Sequence, residues 1–241
     1  AVLGMARAAG HVPELLVAGP EPHEPADAQI VRWAEAAGAR ILDVSSTVLE
    51  KLARRENPQA LIGVFRQRWT EAPQVARLHE GDTWIALEEV RDPGNLGSII
   101  RTADAVGASG VLLIGPSCDP HQRDCVHATM GSIFSVPVAA LDREGFIALA
   151  STWPGDVAGT QLGAPEDLRK AALRDPVLLV MGREGPGLSE EIAAACTRRV
   201  AIPMSGRAQS LNLAVASGLA LYRVRDRHLS AGGCRKTPRP E

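Results

Sequence analysis

The chain has 241 residues, of which 45% are hydrophobic and 22% charged, with a formal net charge of −2. These are globular values with enough apolar material for a sizeable core, and the near-neutral balance excludes a protein that meets nucleic acid through global positive charge. No apolar run approaches the roughly 18–20 residues of a membrane span, and no basic-then-apolar leader opens the chain.

The first stretch, AVLGMARAAGH, starts almost in mid-element and without Met, so further residues are expected before Ala1. Residues 1 to about 66 read as a small α/β unit. Short β-rich runs (ELLVAG, ARILDV, ALIGVF) alternate there with helical patterns over 27–37 and 46–54. Residues 67–81 are polar, contain Pro73 and read as a linker, so a first domain with its linker is expected over 1–75 and a second domain over 82–229. In that second domain, strands are expected at 84–87, 111–114, 136–140, 157–161, 177–181 and 200–203. Helices are expected at 96–106, 123–131, 143–153, 190–196 and 211–224, with Asp142 and Ser189 placed to cap two of them. The alternation predicts a mostly parallel sheet covered by helices. Residues 230–241 are rich in glycine, proline and charge, a composition expected to be disordered. The four cysteines, Cys118, Cys125, Cys196 and Cys234, form no C-x-x-C pair and read as reduced structural thiols; no metal cluster is present.

Three stretches carry chemistry. In RDPGNLGSIIRTADAVGASG, the residues Leu96, Ile99, Ile100, Ala103 and Val106 form one apolar helical stripe and Arg101 points away from it. Taken alone, Asn95 reads as an ordinary helix cap and Arg101 as a solvated charge. In VLLVMGREGPGLSEEI, a strand buried on both faces runs into a loop with three glycines in six residues. That loop fits neither a Rossmann fingerprint nor a Walker motif. In RVAIPMSGRAQSLNLAVASGLALYRVR, a strand ends at Pro203 and a polar loop leads to Ser210-Leu211-Asn212, which opens a helix apolar nearly all round. Such a helix is buried in a core or against a partner. All three loops lie at the carboxyl ends of strands, where open α/β sheets bind ligands.

In this order and spacing, the three stretches resemble motifs 1, 2 and 3 of the SpoU/TrmH family of RNA ribose 2′-O-methyltransferases, members of the SPOUT superfamily. The resemblance covers about residues 83–227. It implies a parallel-sheet SPOUT methyltransferase domain with a C-terminal trefoil knot, which the ordinary rule of unknotted chains would not suggest. It implies S-adenosylmethionine as cofactor, bound by Thr160, Gly182, Glu184, Gly187, Ile202, Met204, Ser210 and Leu211. The catalytic positions carried over are Asn95, Arg101, Glu184, Ser210 and Asn212. In the family the motif 1 arginine is proposed to help deprotonate the ribose hydroxyl. A guanidinium keeps its proton across the physiological range, so Arg101 is read instead as a phosphate and alkoxide ligand, with Glu184 orienting Asn95 or Arg101 and proton removal unassigned. Arg101, Arg123, His127 and Arg207 are candidate RNA contacts, with Arg54, Arg55, Arg66 and Arg68 as additions. The N-terminal unit looks like a small L30e-like RNA-binding domain, which favours 23S rRNA over tRNA as substrate. A homodimer through the knot region and a cytoplasmic location complete the expectation. The alternatives are a tRNA 2′-O-methyltransferase, a non-catalytic RNA-binding knot protein, and a nucleotide-dependent enzyme using the glycine loop, against which the missing Walker lysine speaks.

Overall fold

The computed structural model describes residues 2–20, 24–54, 56 and 58–229. Arg55, Cys234 and the tail expected to be disordered (230–241) lie outside the described residues. The chain divides into two compact units, Ala1–Arg68 and Trp69 onward.

The first unit has the order α1 (Val2–Ala8), β1 (Leu15–Ala18), α2 (Pro25–Ala36), β2 (Arg40–Asp43), α3 (Ser46–Ala53) and β3 (Leu61–Val64). Its sheet runs β2-β1-β3, with β2 parallel and β3 antiparallel to the central strand. Leu16 and Ala18 on β1 pack with Ala34 and Leu61 in a small core. Ser45 caps α3 by accepting from the Val48 amide, and Arg54 ends it in the left-handed region. Helix α1 was not among the elements expected.

The second unit begins with a polar segment that packs inward: Thr70 donates to the Val138 carbonyl, and Ala72 and Leu78 lie on the core. Then follow β4 (Thr83–Glu88), α4 (Pro93–Ala105), β5 (Gly110–Ile114), α5 (Arg123–Thr129), β6 (Val138–Leu141), α6 (Arg143–Thr152), β7 (Val157–Thr160), β8 (Glu166–Asp167), β9 (Val177–Met181), α7 (Glu190–Ala195), β10 (Arg198–Ala201) and α8 (Leu213–Leu229). The seven strands form one sheet in the order β6-β5-β4-β9-β7-β10-β8, and every pairing is parallel. All six expected strands and all five expected helices are present. The additional strand, β8, has only two residues, both polar, and exists because Glu166 and Asp167 pair with Val200 and Ala201.

Alternation along the strands divides the core by face. Ile85, Leu87, Val111, Leu113 and Leu179 pack with the stripe of α4 and with Leu221 and Val224 of α8. Trp84, Ala86, Leu112 and Val180 face Phe146 and Ala150 of α6 and Ile192 of α7. Central strands buried on both faces are continuous apolar runs, so β9 ends where the sequence predicted. Asp142 and Ser189 cap α6 and α7 through the Gly145 and Ile192 amides.

In the second unit two helix starts differ from expectation. The cap of α4 is Asp92, whose carboxylate accepts from the Asn95 amide at 2.6 Å. Pro93 occupies the first helical turn, where its missing N–H costs nothing, so the residue before it takes the capping role and the Asn95 side chain is released. Helix α8 begins at Leu213, two residues later than expected, and runs on to Leu229. Its first turn is closed by Asn212, whose side-chain oxygen accepts from the Ala214 and Val215 amides at 2.9 and 3.3 Å; Ser210 is not the cap. Further along, Arg225 anchors α8 by donating to the carbonyls of Gly81 and Val106.

Candidate active site

Because the sheet is parallel throughout, its carboxyl ends share one edge, and β4, β9, β7 and β10 are adjacent there. The loops that follow these four strands enclose a cleft of about 580 Å³. Thr160 and Gln161 close it from β7, residues Gly182 to Leu188 from β9, Ile202, Met204, Ser210 and Leu211 from β10, and Asp92 with Asn95 from the start of α4.

The loop after β9 folds back on itself. Arg183 and Gly187 exchange both backbone hydrogen bonds at 3.1 Å, and Gly185 and Gly187 have φ of 87° and 77°, a region that favours glycine. Gly182 has a different reason for its identity: a Cβ there would lie 2.3 Å from the Gly187 carbonyl carbon and the Leu188 nitrogen. The far side of the loop is tied to the sheet by Glu88. This carboxylate is buried at the end of β4, and one of its oxygens accepts from the Ser189 amide at 2.9 Å. Next to it Glu89, itself at φ 47°, pairs with Arg143, which also reaches Glu191 on α7. The hydrogen bond to Glu191 holds the Arg143 guanidinium above its ordinary pKa. The Thr160 hydroxyl crosses to the Val180 carbonyl at 3.1 Å, joining β7 to β9 at the cleft floor.

Residues 203–211 behave differently: among the described residues they make no hydrogen bond, either along the backbone or through side chains. Their amides and carbonyls are left to solvent or to a ligand.

Three side chains from three distant stretches meet at the cleft. Asn212 donates through Nδ2 to Asn95 Oδ1 at 3.0 Å, and Asn95 Nδ2 donates to Glu184 Oε1. The direction of this relay follows from α8. The oxygen of Asn212 is committed to two helix amides, so its nitrogen must be the donor. Asn95 therefore presents its oxygen to Asn212 and its nitrogen to Glu184.

A model of the SpoU rRNA Methylase family matches residues 82–222, more than half of the chain. The chain belongs to this family. An RNA methyltransferase is thereby identified, and its solved and curated relatives agree in extent. The AdoMet-bound rRNA methyltransferase from Sinorhizobium meliloti has a TM-score of 0.84 and 40% identity, over 95% of this chain and 85% of that one. An uncharacterized tRNA/rRNA methyltransferase of Synechocystis sp. is 32% identical over 78% of this chain and 68% of its own length. The 23S rRNA (guanosine-2′-O-)-methyltransferase RlmB of Ralstonia nicotianae is 32% identical over 80% of this chain and 79% of its own length.

Within the family frame, the residues named in advance fall into two groups. Thr160, Gly182, Glu184, Gly187, Ile202, Met204, Ser210 and Leu211 all line the cleft, together with Asn95 and Asn212. Arg101 does not: it is exposed on α4, outside the cleft of its own protomer, and its side chain makes no hydrogen bond or ion pair among the described residues. Arg123, His127 and Arg207 are also exposed and outside the cleft. Arg66 pairs with Glu14 within the first unit. Sequence reasoning missed Asp92, Arg183 and Leu162 on the cleft wall and Glu88 behind it. The Asp-Pro pair signalled the cap at Asp92, whereas nothing in the sequence signals a buried carboxylate at Glu88.

The cleft fits an adenosyl sulfonium in chemistry and size. Its volume lies within the range of small-molecule sites, roughly 300–1,000 Å³. It offers apolar walls in Leu162, Met181, Ile202 and Leu211, carboxylates in Asp92 and Glu184, and unpaired backbone at Met204, Ser210 and Leu211. Among the described residues no group of histidine, cysteine and carboxylate side chains could hold a metal ion, and no helix is long and apolar enough to cross a membrane.

Proposed function

We propose that this protein methylates the ribose 2′-hydroxyl of ribosomal RNA. S-adenosylmethionine is the methyl donor and supplies an electrophilic methyl group on sulfur. The observation that carries the reading is the Asn212–Asn95–Glu184 relay set against the cleft, which brings one residue from each of three distant stretches to one point.

The loop after β9 and residues 202–211 hold the donor, with main-chain groups meeting the adenine. Asn95 and Asn212 fix the polar wall against which the ribose stands. Ser210, exposed at the mouth, contacts the adjoining phosphate. Much of the acceleration comes from alignment, since holding reactants in line is worth up to roughly 7–11 kcal/mol.

Arg101 stabilises the RNA phosphate and the developing 2′-alkoxide from across a two-fold interface, which explains its position outside the cleft of its own protomer. Support for that interface comes from α8, where Val215, Leu219 and Tyr222 recur at helical spacing and are 52%, 51% and 60% exposed. An isologous C2 contact buries such a stripe on both copies. In this reading, residues 202–212 thread the knot of the family, the first unit is an L30e-like RNA-binding domain, Arg123, His127 and Arg207 meet RNA phosphates, and the enzyme works in the cytoplasm. Unmodified rRNA transcripts incubated with protein and methyl-labelled donor, then mapped for 2′-O-methyl nucleotides, test the proposal. Label at one ribose is expected; label on a base, or none, refutes it.

A further inference from the structure

Methylating a hydroxyl releases a proton, and the cleft holds few groups able to receive it. Among the described residues of one protomer, the titratable side chains that line it are Asp92, Arg183 and Glu184. Among the described residues, no histidine, lysine, cysteine or tyrosine lines it. An arginine has no lone pair to offer. Asp92 is committed to the start of α4 through the Asn95 amide at 2.6 Å. Glu184 is exposed at the cleft, and the Asn95 amide is its one hydrogen-bond partner among the described residues.

The relay makes this carboxylate more than an available one. Since the α8 amides fix the Asn212 oxygen, Asn95 must donate to Glu184 Oε1. That oxygen is thereby held in the acceptor role, and the side chain is anchored by a charge-assisted bond. The second oxygen, Oε2, remains open to a proton.

We propose that Glu184 is the catalytic proton acceptor of the reaction, with Asn95 and Asn212 as its positioning residues; this rests on the 2′-O-methylation reading above. The ribose 2′-oxygen forms its bond to the methyl carbon while that carbon's bond to sulfur breaks. The 2′ proton passes to Glu184 Oε2, leaving a 2′-O-methyl ribose, S-adenosylhomocysteine and a neutral carboxyl that returns its proton to solvent. A carboxylate that accepts a hydroxyl proton at the moment of group transfer is the arrangement used by protein kinases.

The test compares Glu184→Gln, Glu184→Asp and wild type in single-turnover transfer to unmodified rRNA transcript at saturating donor. Glutamine keeps an oxygen for Asn95 but cannot take the proton. General-base catalysis is worth about 10²–10⁴-fold, so E184Q loses at least about tenfold in rate, donor affinity stays near wild type, and E184D retains more activity than E184Q. An E184Q rate within tenfold of wild type, or an E184D rate below that of E184Q, overturns the assignment. Because E184D keeps the carboxylate, that order decides the matter even where E184Q weakens donor binding. Wild-type protein that places no methyl group on ribose defeats the functional reading itself, an outcome distinct from active wild type with equally active E184Q.

Discussion

Gly182→Ala tests whether the loop after β9 shapes the donor site. The φ of Gly182 lies outside the left-handed region, so the backbone itself tolerates alanine. The obstacle is contact. A Cβ would stand 2.3 Å from the Gly187 carbonyl carbon and the Leu188 nitrogen, and 2.8 Å from the Gly187 Cα, all of them backbone atoms. Ordinary contact begins near 3.4 Å, so the segment must retreat by about 1.1 Å (3.4 less 2.3). It cannot do so freely, since Glu88 holds Ser189 on one side and the Arg183–Gly187 pair closes the other. Overpacking of this kind costs about 1–3 kcal/mol, read as a melting point lower by about 2–4 °C per kcal/mol for a domain of this size. A misplacement of about 1 Å in a binding wall can cost about 10²-fold, so the dissociation constant for S-adenosylmethionine by calorimetry should rise by about 10- to 100-fold, or roughly 1.4–2.7 kcal/mol. Gly4→Ala is the control, because a Cβ there meets nothing within 4 Å and the residue lies on α1, outside the cleft lining. A G182A protein with donor affinity within twofold of wild type would refute the role given to this loop.

Three further outcomes are expected. Arg101→Ala abolishes methyl transfer while calorimetry shows donor binding nearly intact, because the side chain lies outside the cleft; full turnover in that variant would exclude a role for Arg101 in the reaction. Asn212→Asp keeps the oxygen that caps α8 but replaces the donor facing Asn95 by an acceptor. It should therefore hold its melting point within a degree or two, where a lost cap would cost about 1 kcal/mol, yet lose at least tenfold in rate in the transfer assay. Finally, burial pushes the Cys125 and Cys196 thiols up from 9.0 to about 12. The unfolded chain then releases these protons at lower pH than the folded one, so native stability falls as pH rises from about 9 towards 12. Urea titrations at pH 8 and pH 10.5 measure this, and Cys125→Ser with Cys196→Ser should flatten the slope.

What the sequence revealed, and what it hid, follows from the range of the interactions involved. Strand β9 was readable to the residue because a run buried on both faces needs no information beyond its own apolar side chains. The start of α4 was misjudged by three residues because Asp92 and Asn95 are both competent caps, and Pro93 decides between them. The start of α8 shifted for a similar reason: Ser210 and Asn212 can each cap, and Asn212 does so in the position from which it also reaches Asn95. Strand β8 was invisible because Glu166 and Asp167 have no periodicity of their own and are ordered by β10. The adjacency of β4, β9, β7 and β10, which gathers the cleft, is a long-range property that no local pattern encodes; the resemblance to a known family supplied the residues expected to meet there, not the strand order. The place expected for Arg101, at a reaction centre completed across a dimer interface, involves a second protomer and so lies beyond any local pattern.

The bare ribbon formed by residues 203–211 has a thermodynamic consequence. With no hydrogen bond among the described residues to hold its shape, it would be ordered by the donor it is proposed to hold, and each backbone position fixed costs up to about 1–2 kcal/mol of entropy. Donor capture should then be driven by enthalpy and opposed by entropy, so that affinity weakens steeply on warming and release of the spent cofactor is helped by the slack that returns. In such an arrangement the segment that grips most closely is also the one that lets go.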